Sequence, residues 1–168
     1  MTVEVSVGCP AWTADLPEAA ETAERAVRAA AAAAFRQPGR FEVSVLLAGD
    51  AHARALNRDW RGRDRATNVL AFPSLTPEAL ARAGADGVDV PLGDIVLAHG
   101  PLRREAEEQD KTLADHLSHL AVHGFLHLIG YDHEQAAEAA RMEALEARVL
   151  AGLGIADPYA AERALVPD

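Results

Sequence analysis

The stretch His123-Gly124-Phe125-Leu126-His127-Leu128-Ile129-Gly130-Tyr131-Asp132-His133 carries three imidazoles, at offsets of four and six residues. If the segment is helical, the four-residue step stacks His123 and His127 on one face, where both rings can reach a single ion. Gly130 can take the left-handed conformation that ends a helix, and the chain that swings back through it can bring His133 in as a third ligand. Three neutral imidazoles suit zinc, one ion per chain, and leave a fourth position for water or substrate. Structural zinc sites are instead closed by four ligands, usually including cysteine. The only cysteine, Cys9, is far away in sequence. Imidazoles also bind nickel and copper well, so nickel or another divalent metal is an alternative occupant.

The spacing matches the long zinc-protease motif H-E-x-x-H-x-x-G-x-x-H, except that Gly124 follows the first histidine where the motif has glutamate. Without that carboxylate, peptide hydrolysis by the protease route loses general-base help of roughly 10²–10⁴-fold. A different hydrolysis is expected, and a metal-dependent peptide or small-molecule hydrolase is the weaker alternative. His119 lies four residues before His123 and shares its stripe. The pair His123 and His127 is preferred because it lies within one turn of Gly130. His116 and His119 are then packed residues or partners of the ligand rings. Asp132 has two readings: a carboxylate holding the second nitrogen of a ligand imidazole, or a turn residue bonding local amides.

The elements that must position this stretch can be taken in chain order. Val3, Val5 and Val7 alternate with polar residues from Thr2 to Val7 and predict a half-buried strand, ended by Gly8-Cys9-Pro10. Asp15 is placed to cap a helix with Pro17 in its first turn and Glu18 at the capping-box position, running through alanines to Arg36. Phe41 to Ala48 predicts a second strand, with a helix from Gly49-Asp50 through Trp60. Thr67 to Pro73 and Leu92 to Ala98 are the third and fourth strands. The intervening residues 74 to 91 hold Pro77, Gly84, Gly87 and Pro91, so any helix over Pro77 to Arg82 is short. The chain turns helical from Pro101, and Thr112 with Asp115 forms a capping box that starts the histidine-bearing helix. A last helix begins at Glu134, with Ala139, Met142, Leu145 and Val149 as its apolar stripe, and ends near Gly152 and Gly154. Its acidic residues, Glu134, Glu138, Glu143 and Glu146, read as a solvated face. Four strands with helices both interspersed and gathered late indicate an α+β or mixed three-layer domain.

At 168 residues the chain fits one domain, 1–168, long enough to bury a core without disulfides. No basic leader with an apolar core opens it, which points to the cytoplasm, and no apolar run approaches the length that crosses a bilayer, so no membrane role is expected. The net charge of −10 argues against a surface that binds nucleic acid everywhere. Arg54, Arg58, Arg61, Arg63 and Arg65 stand against only Asp59 and Asp64, and make the one locally basic stretch.

Several motifs together resemble the YbeY family of bacterial endoribonucleases, also described as ribosomal RNA maturation factors. They are Leu56-Asn57 with Trp60-Arg61, Thr67-Asn68-Val69-Leu70-Ala71-Phe72-Pro73, Leu92-Gly93-Asp94-Ile95, and His123 through His133, with fainter echoes in Met142-Glu143 and Asp157-Pro158-Tyr159. The family often has Pro at Ala66 and Ser at Ala71, departures that touch no proposed ligand. The resemblance implies zinc on His123, His127 and His133, Arg61 and His123 as residues needed for activity, and a mixed four-stranded sheet with surrounding helices. The metal site would lie on a central helix and its following turn. It also implies a single-strand-specific endoribonuclease in 3′-end maturation of small-subunit ribosomal RNA and in ribosome quality control. The partners would be single-stranded or precursor ribosomal RNA and the small ribosomal subunit with its assembly factors. A guanidinium near a catalytic metal suits phosphodiester cleavage because its planar fork binds phosphate through two hydrogen bonds. Arg58, Arg63 and Arg65 are the candidates for steering the RNA backbone. The alternative is a non-catalytic, metal-stabilised ribosome assembly factor.

Overall fold

The structure is a computed structural model that describes residues 1–35, 40–61, 67–83, 89–132 and 134–164, without the side chains of Arg61, Arg163 and Ala164. The valine alternation folds as β1 (Thr2–Val7). A short helix then intervenes that the sequence did not announce, α1 (Pro10–Asp15), with Pro10 in its first turn. Its cause is Trp12, whose fully buried indole donates from Nε1 to the Ala48 carbonyl at 3.0 Å. Burying an indole outweighs an N-cap bond of about 1 kcal/mol. Asp15 is therefore the end of α1 and caps nothing; its carboxylate holds His99 Nε2 at 2.7 Å. The alanine-rich α2 (Ala19–Ala34) follows, with Glu18 at its N-cap making no side-chain cap bond.

β2 (Phe41–Ala48) and α3 (Asp50–Arg61) fall where the pattern placed them. β3 (Val69–Pro73) starts two residues late, because Asn68 turns its side chain to bond the Val69 amide at 2.7 Å and Glu105 at 3.1 Å. The short α4 (Pro77–Arg82) is capped by the Thr76 hydroxyl, which accepts from the Ala79 amide. β4 (Val90–Ala98) starts two residues early: Val90 donates to the Arg40 carbonyl at 2.7 Å, and the register against β2 slips between Glu42 and Val43. Beside this slip stands Gly93, at φ +139°, where a Cβ would lie 2.2 Å from the Phe72 carbonyl oxygen. The chain continues through α5 (His99–Glu108), α6 (Leu113–Leu128), α7 (Ala136–Gly152) and α8 (Ala160–Ala164). The helix expected from Glu134 thus begins at Ala136, and α8 follows it.

The sheet order is β1-β2-β4-β3, with β3 antiparallel on one edge and the other neighbours parallel. Alternation along the strands divides the core. Val43, Val45, Leu47, Ala71, Ile95 and Leu97 join one cluster with the apolar sides of α2, α6 and α7, while Ala48, Leu70, Val96 and Ala98 join a smaller one with Ala53 and Leu56 of α3. The small residues Ala19, Ala23, Ala26 and Ala30 let α2 lie close to the sheet and to α6. This is the mixed four-stranded sheet of an α+β domain that the sequence indicated. Among the described residues, no helix is long and apolar enough to cross a membrane.

Candidate metal centre

Helix α6 carries the histidines because both its ends are specified. At the start, the Thr112 hydroxyl accepts from the Asp115 amide at 3.1 Å. At the end, the Gly130 amide donates to the His127 carbonyl and the Tyr131 amide to the Leu126 carbonyl, with Gly130 at φ +102°. These crossed bonds are the left-handed helix stop anticipated from Gly130. Between its ends the helix is buried on most sides through Leu117, Leu120, Ala121, Val122, Phe125 and Leu126. Gly124 is where it meets the sheet: a Cβ there would come within 2.8 Å of Ile95 Cγ2 and 3.1 Å of Val69 Cγ2. The glutamate of the protease motif has no room at this position, which gives the missing base a steric cause.

His123 and His127 converge. Their Nε2 atoms are 3.0 Å apart and the rings stand at 77°. Two nitrogens on one tetrahedral zinc, each bonded at about 2.0–2.1 Å, lie roughly 3.3 Å from each other, so the pair is within a few tenths of an ångström of a shared-ion arrangement. The donor chemistry fits as well. His123 Nδ1 lies 2.5 Å from Glu146 Oε1, and a carboxylate can only accept, so the proton sits on Nδ1 and the Nε2 lone pair faces His127. His133, the third ligand expected from the sequence, lies outside the described residues, among which no third His, Cys, Asp or Glu completes a metal cluster.

Glu146 corrects the sequence reading of α7 as having a wholly solvated acidic face, because it is 0% exposed. Its Oε2 accepts from the Tyr159 hydroxyl and, at 3.1 Å, from His119 Nε2. Burial alone would raise its pKa. Hydrogen bonds from His119 and His123, the charge of His123 and the bond from Tyr159 outweigh burial and lower it to about 2, so the group is ionised at neutral pH. Burial, then the Glu146 carboxylate, push the Tyr159 hydroxyl above its ordinary value. The clue in the sequence was Glu146 on the same stripe as Met142 and Val149, four and three residues away. His119 thus touches the carboxylate behind His123, while His116 packs apart, its Nε2 2.8 Å from Glu105 Oε1.

The histidine pair opens onto a groove of about 640 Å³ lined by Asn57, residues of β3 and its approach, and the turn from Gly130 through Asp132 and Glu134. Asp132 Oδ1 accepts from the Glu134 amide at 3.2 Å, the local bond of an Asx turn. Arg61 is the last residue of α3, one turn on from the buried Asn57, and its side chain lies outside the described set. Arg58 is exposed with Nε 3.1 Å from Asp59. Arg63 and Arg65 lie outside the described residues.

Fold and site together define a class: an α+β domain with a mixed sheet that presents a histidine pair from its central helix to a groove beside an edge strand. A family profile described as Endoribonuclease YbeY matches residues 11–154. A Paramagnetospirillum magneticum protein named Endoribonuclease YbeY is 49% identical over 161 residues, spanning 95% of this chain and 97% of that one. A Bradyrhizobium protein of the same name is 49% identical over 159 residues, spanning 95% and 92%. A Thermotoga maritima protein solved in solution shares the fold with TM-score 0.56 at 23% identity, covering 97% of this chain and 93% of that one. The chain belongs to the YbeY endoribonuclease family, as the motifs indicated.

Proposed function

We propose that this chain is a zinc-dependent endoribonuclease specific for single strands, acting in the cytoplasm on the 3′ end of small-subunit ribosomal RNA and in ribosome quality control. The observation that carries the reading is the convergence of His123 Nε2 and His127 Nε2, 3.0 Å apart, on a groove in a chain of this family. His123 and His127 would hold the ion, with His133 as the third ligand by the sequence reading. When bound, the ion supplies Lewis acidity toward a phosphoryl oxygen.

The remaining work belongs to the chain. Glu146 accepts a hydrogen bond from His123 Nδ1–H and so holds the ring in the tautomer that presents Nε2 to the groove. Gly124 lets α6 sit against β3, so that the edge strand forms a wall of the same groove. Arg61, one turn on from groove-lining Asn57, is read as the phosphate clamp; Arg58, Arg63 and Arg65 steer the backbone. Nuclease-free protein should cleave a single-stranded oligoribonucleotide and spare its duplex, and His123→Ala and Arg61→Ala should each remove that cleavage. Activity that survives both substitutions would expose a contaminant and sink the enzyme reading. Zinc-loaded protein inert on every RNA tried would favour the assembly-factor role.

A further inference from the structure

We propose that Trp60 is a stacking platform for an unpaired base of the RNA strand, at the rim of the histidine groove; the inference rests on the nuclease reading above. Trp60 is 73% exposed, although an indole has more apolar surface to gain from burial than any other side chain. Its place on α3 explains the opportunity. Ala53 and Asn57 are buried along one side of the helix, Ala53 against the sheet and Asn57 lining the groove. Position 60 comes three residues after Asn57 and continues that side beyond the described packing of α3 on the sheet.

The neighbours of the indole favour nucleic acid over an apolar protein surface. The same helix carries exposed Arg54 and Arg58 and ends in Arg61, so the segment that bears Trp60 is rich in arginine, and among the described residues the one other exposed large apolar side chain is Val7 of β1. Arg58 pairs with Asp59 through exposed side chains, a bond that a phosphate can displace at little cost. The carboxylates of the groove, Asp132 and Glu134, belong to the turn after α6, which leaves α3 as the side that draws an anionic backbone. An exposed π face on an arginine-bearing helix that also lines a groove has the elements that single-strand binders combine, cations tracking phosphates and an aromatic taking a base.

The test is fluorescence titration of the zinc-loaded protein with single-stranded hexauridylate at low temperature, where binding precedes cleavage. Trp12 is fully buried, so a change in emission reports Trp60, and Trp60→Phe gives the blank. Binding should quench the emission. Trp60→Ala should weaken binding roughly tenfold or more, with melting temperature and zinc content unchanged, and Trp60→Tyr should stay within a few-fold of the original. An oligomer of the same charge with abasic positions should bind the original and Trp60→Ala equally well. If Trp60→Ala binds hexauridylate as tightly as the original protein, which itself binds and cleaves it, the platform is wrong while the nuclease reading stands. An equal loss on intact and abasic oligomers would likewise remove stacking. Original protein that neither binds nor cleaves RNA would overturn both.

Discussion

Replacing Glu146 with glutamine isolates the role of the carboxylate behind the proposed metal centre. Glu146 takes three donors, from His123, His119 and Tyr159, with no exposure to water. Alanine would take the carboxylate acceptor from all three, at about 1–3 kcal/mol for each group left unsatisfied, with only the 3.2 Å contact between His119 Nε2 and the Tyr159 hydroxyl remaining among them. That sum approaches the whole stability of a domain, about 5–15 kcal/mol, so the alanine variant would test folding and nothing else. Glutamine keeps the shape and one acceptor oxygen. It loses the charge and turns an amide N–H₂ toward donors, so the proton on His123 Nδ1 is held less firmly and Nε2 is presented less often. Loss of a partner behind a metal ligand costs about 10–100-fold in affinity, or about 1.4–2.7 kcal/mol. Zinc affinity measured against a competing chelator should fall by that factor in Glu146→Gln, while circular dichroism shows a folded protein. A folded variant that binds zinc within twofold of the original would refute the claim that this carboxylate orients the site.

Gly124→Ala should cost about 1–3 kcal/mol in urea unfolding, because its Cβ would press on Ile95 and Val69 and neither the strand nor the helix can give way freely; an unchanged midpoint would mean α6 and the sheet are less tightly set. Asp132→Asn keeps an oxygen for the Glu134 amide and should bind zinc as the original does, and a tenfold loss would give the carboxylate a hold on a ligand ring. His116 has its pKa lowered, by burial first and by the charges of His119 and Lys111, against the hydrogen bond and charge of Glu105. Among the described residues its buried Nδ1 has no partner, so the native state favours the neutral ring. The unfolded chain takes up a proton near pH 6.5 that the native state resists. The contribution of His116 is therefore complete above that pH and is lost as the pH falls through it toward the depressed native value. The urea midpoint should drop from pH 7 to 5.5, and the drop should shrink in His116→Asn; equal slopes would contradict this.

Legibility from sequence followed how local the determining physics was. The strands at Thr2–Val7 and Phe41–Ala48 and both ends of α6 were readable because alternation, the Thr112 cap and the Gly130 stop act within a few residues. Helix α1 was not, because what holds it is the bond from Trp12 to the Ala48 carbonyl, 36 residues away. Early β4 was hidden by Pro91 in the strand and by a register slip that depends on β2. Within the site, the spacing of His123 and His127 was a helical property and so readable. Glu146 approaches them from another helix, and a glutamate in sequence carries no mark of burial unless its own stripe is read as apolar. The arginines of 61–65 were legible as a basic cluster in the sequence, but the proposed phosphate contact rests on side chains outside the described residues.

The most direct test of the central claim is metal content and RNA cleavage measured on one preparation, before chelation, after it, and after a divalent ion is returned. The protein as purified should carry one zinc per chain, or nickel in its place. Cleavage of single-stranded RNA should disappear with the metal and return with it, and a His123→Ala protein should lack both. Metal-stripped protein that cleaves at the original rate, or His123→Ala protein that does so, would contradict that claim.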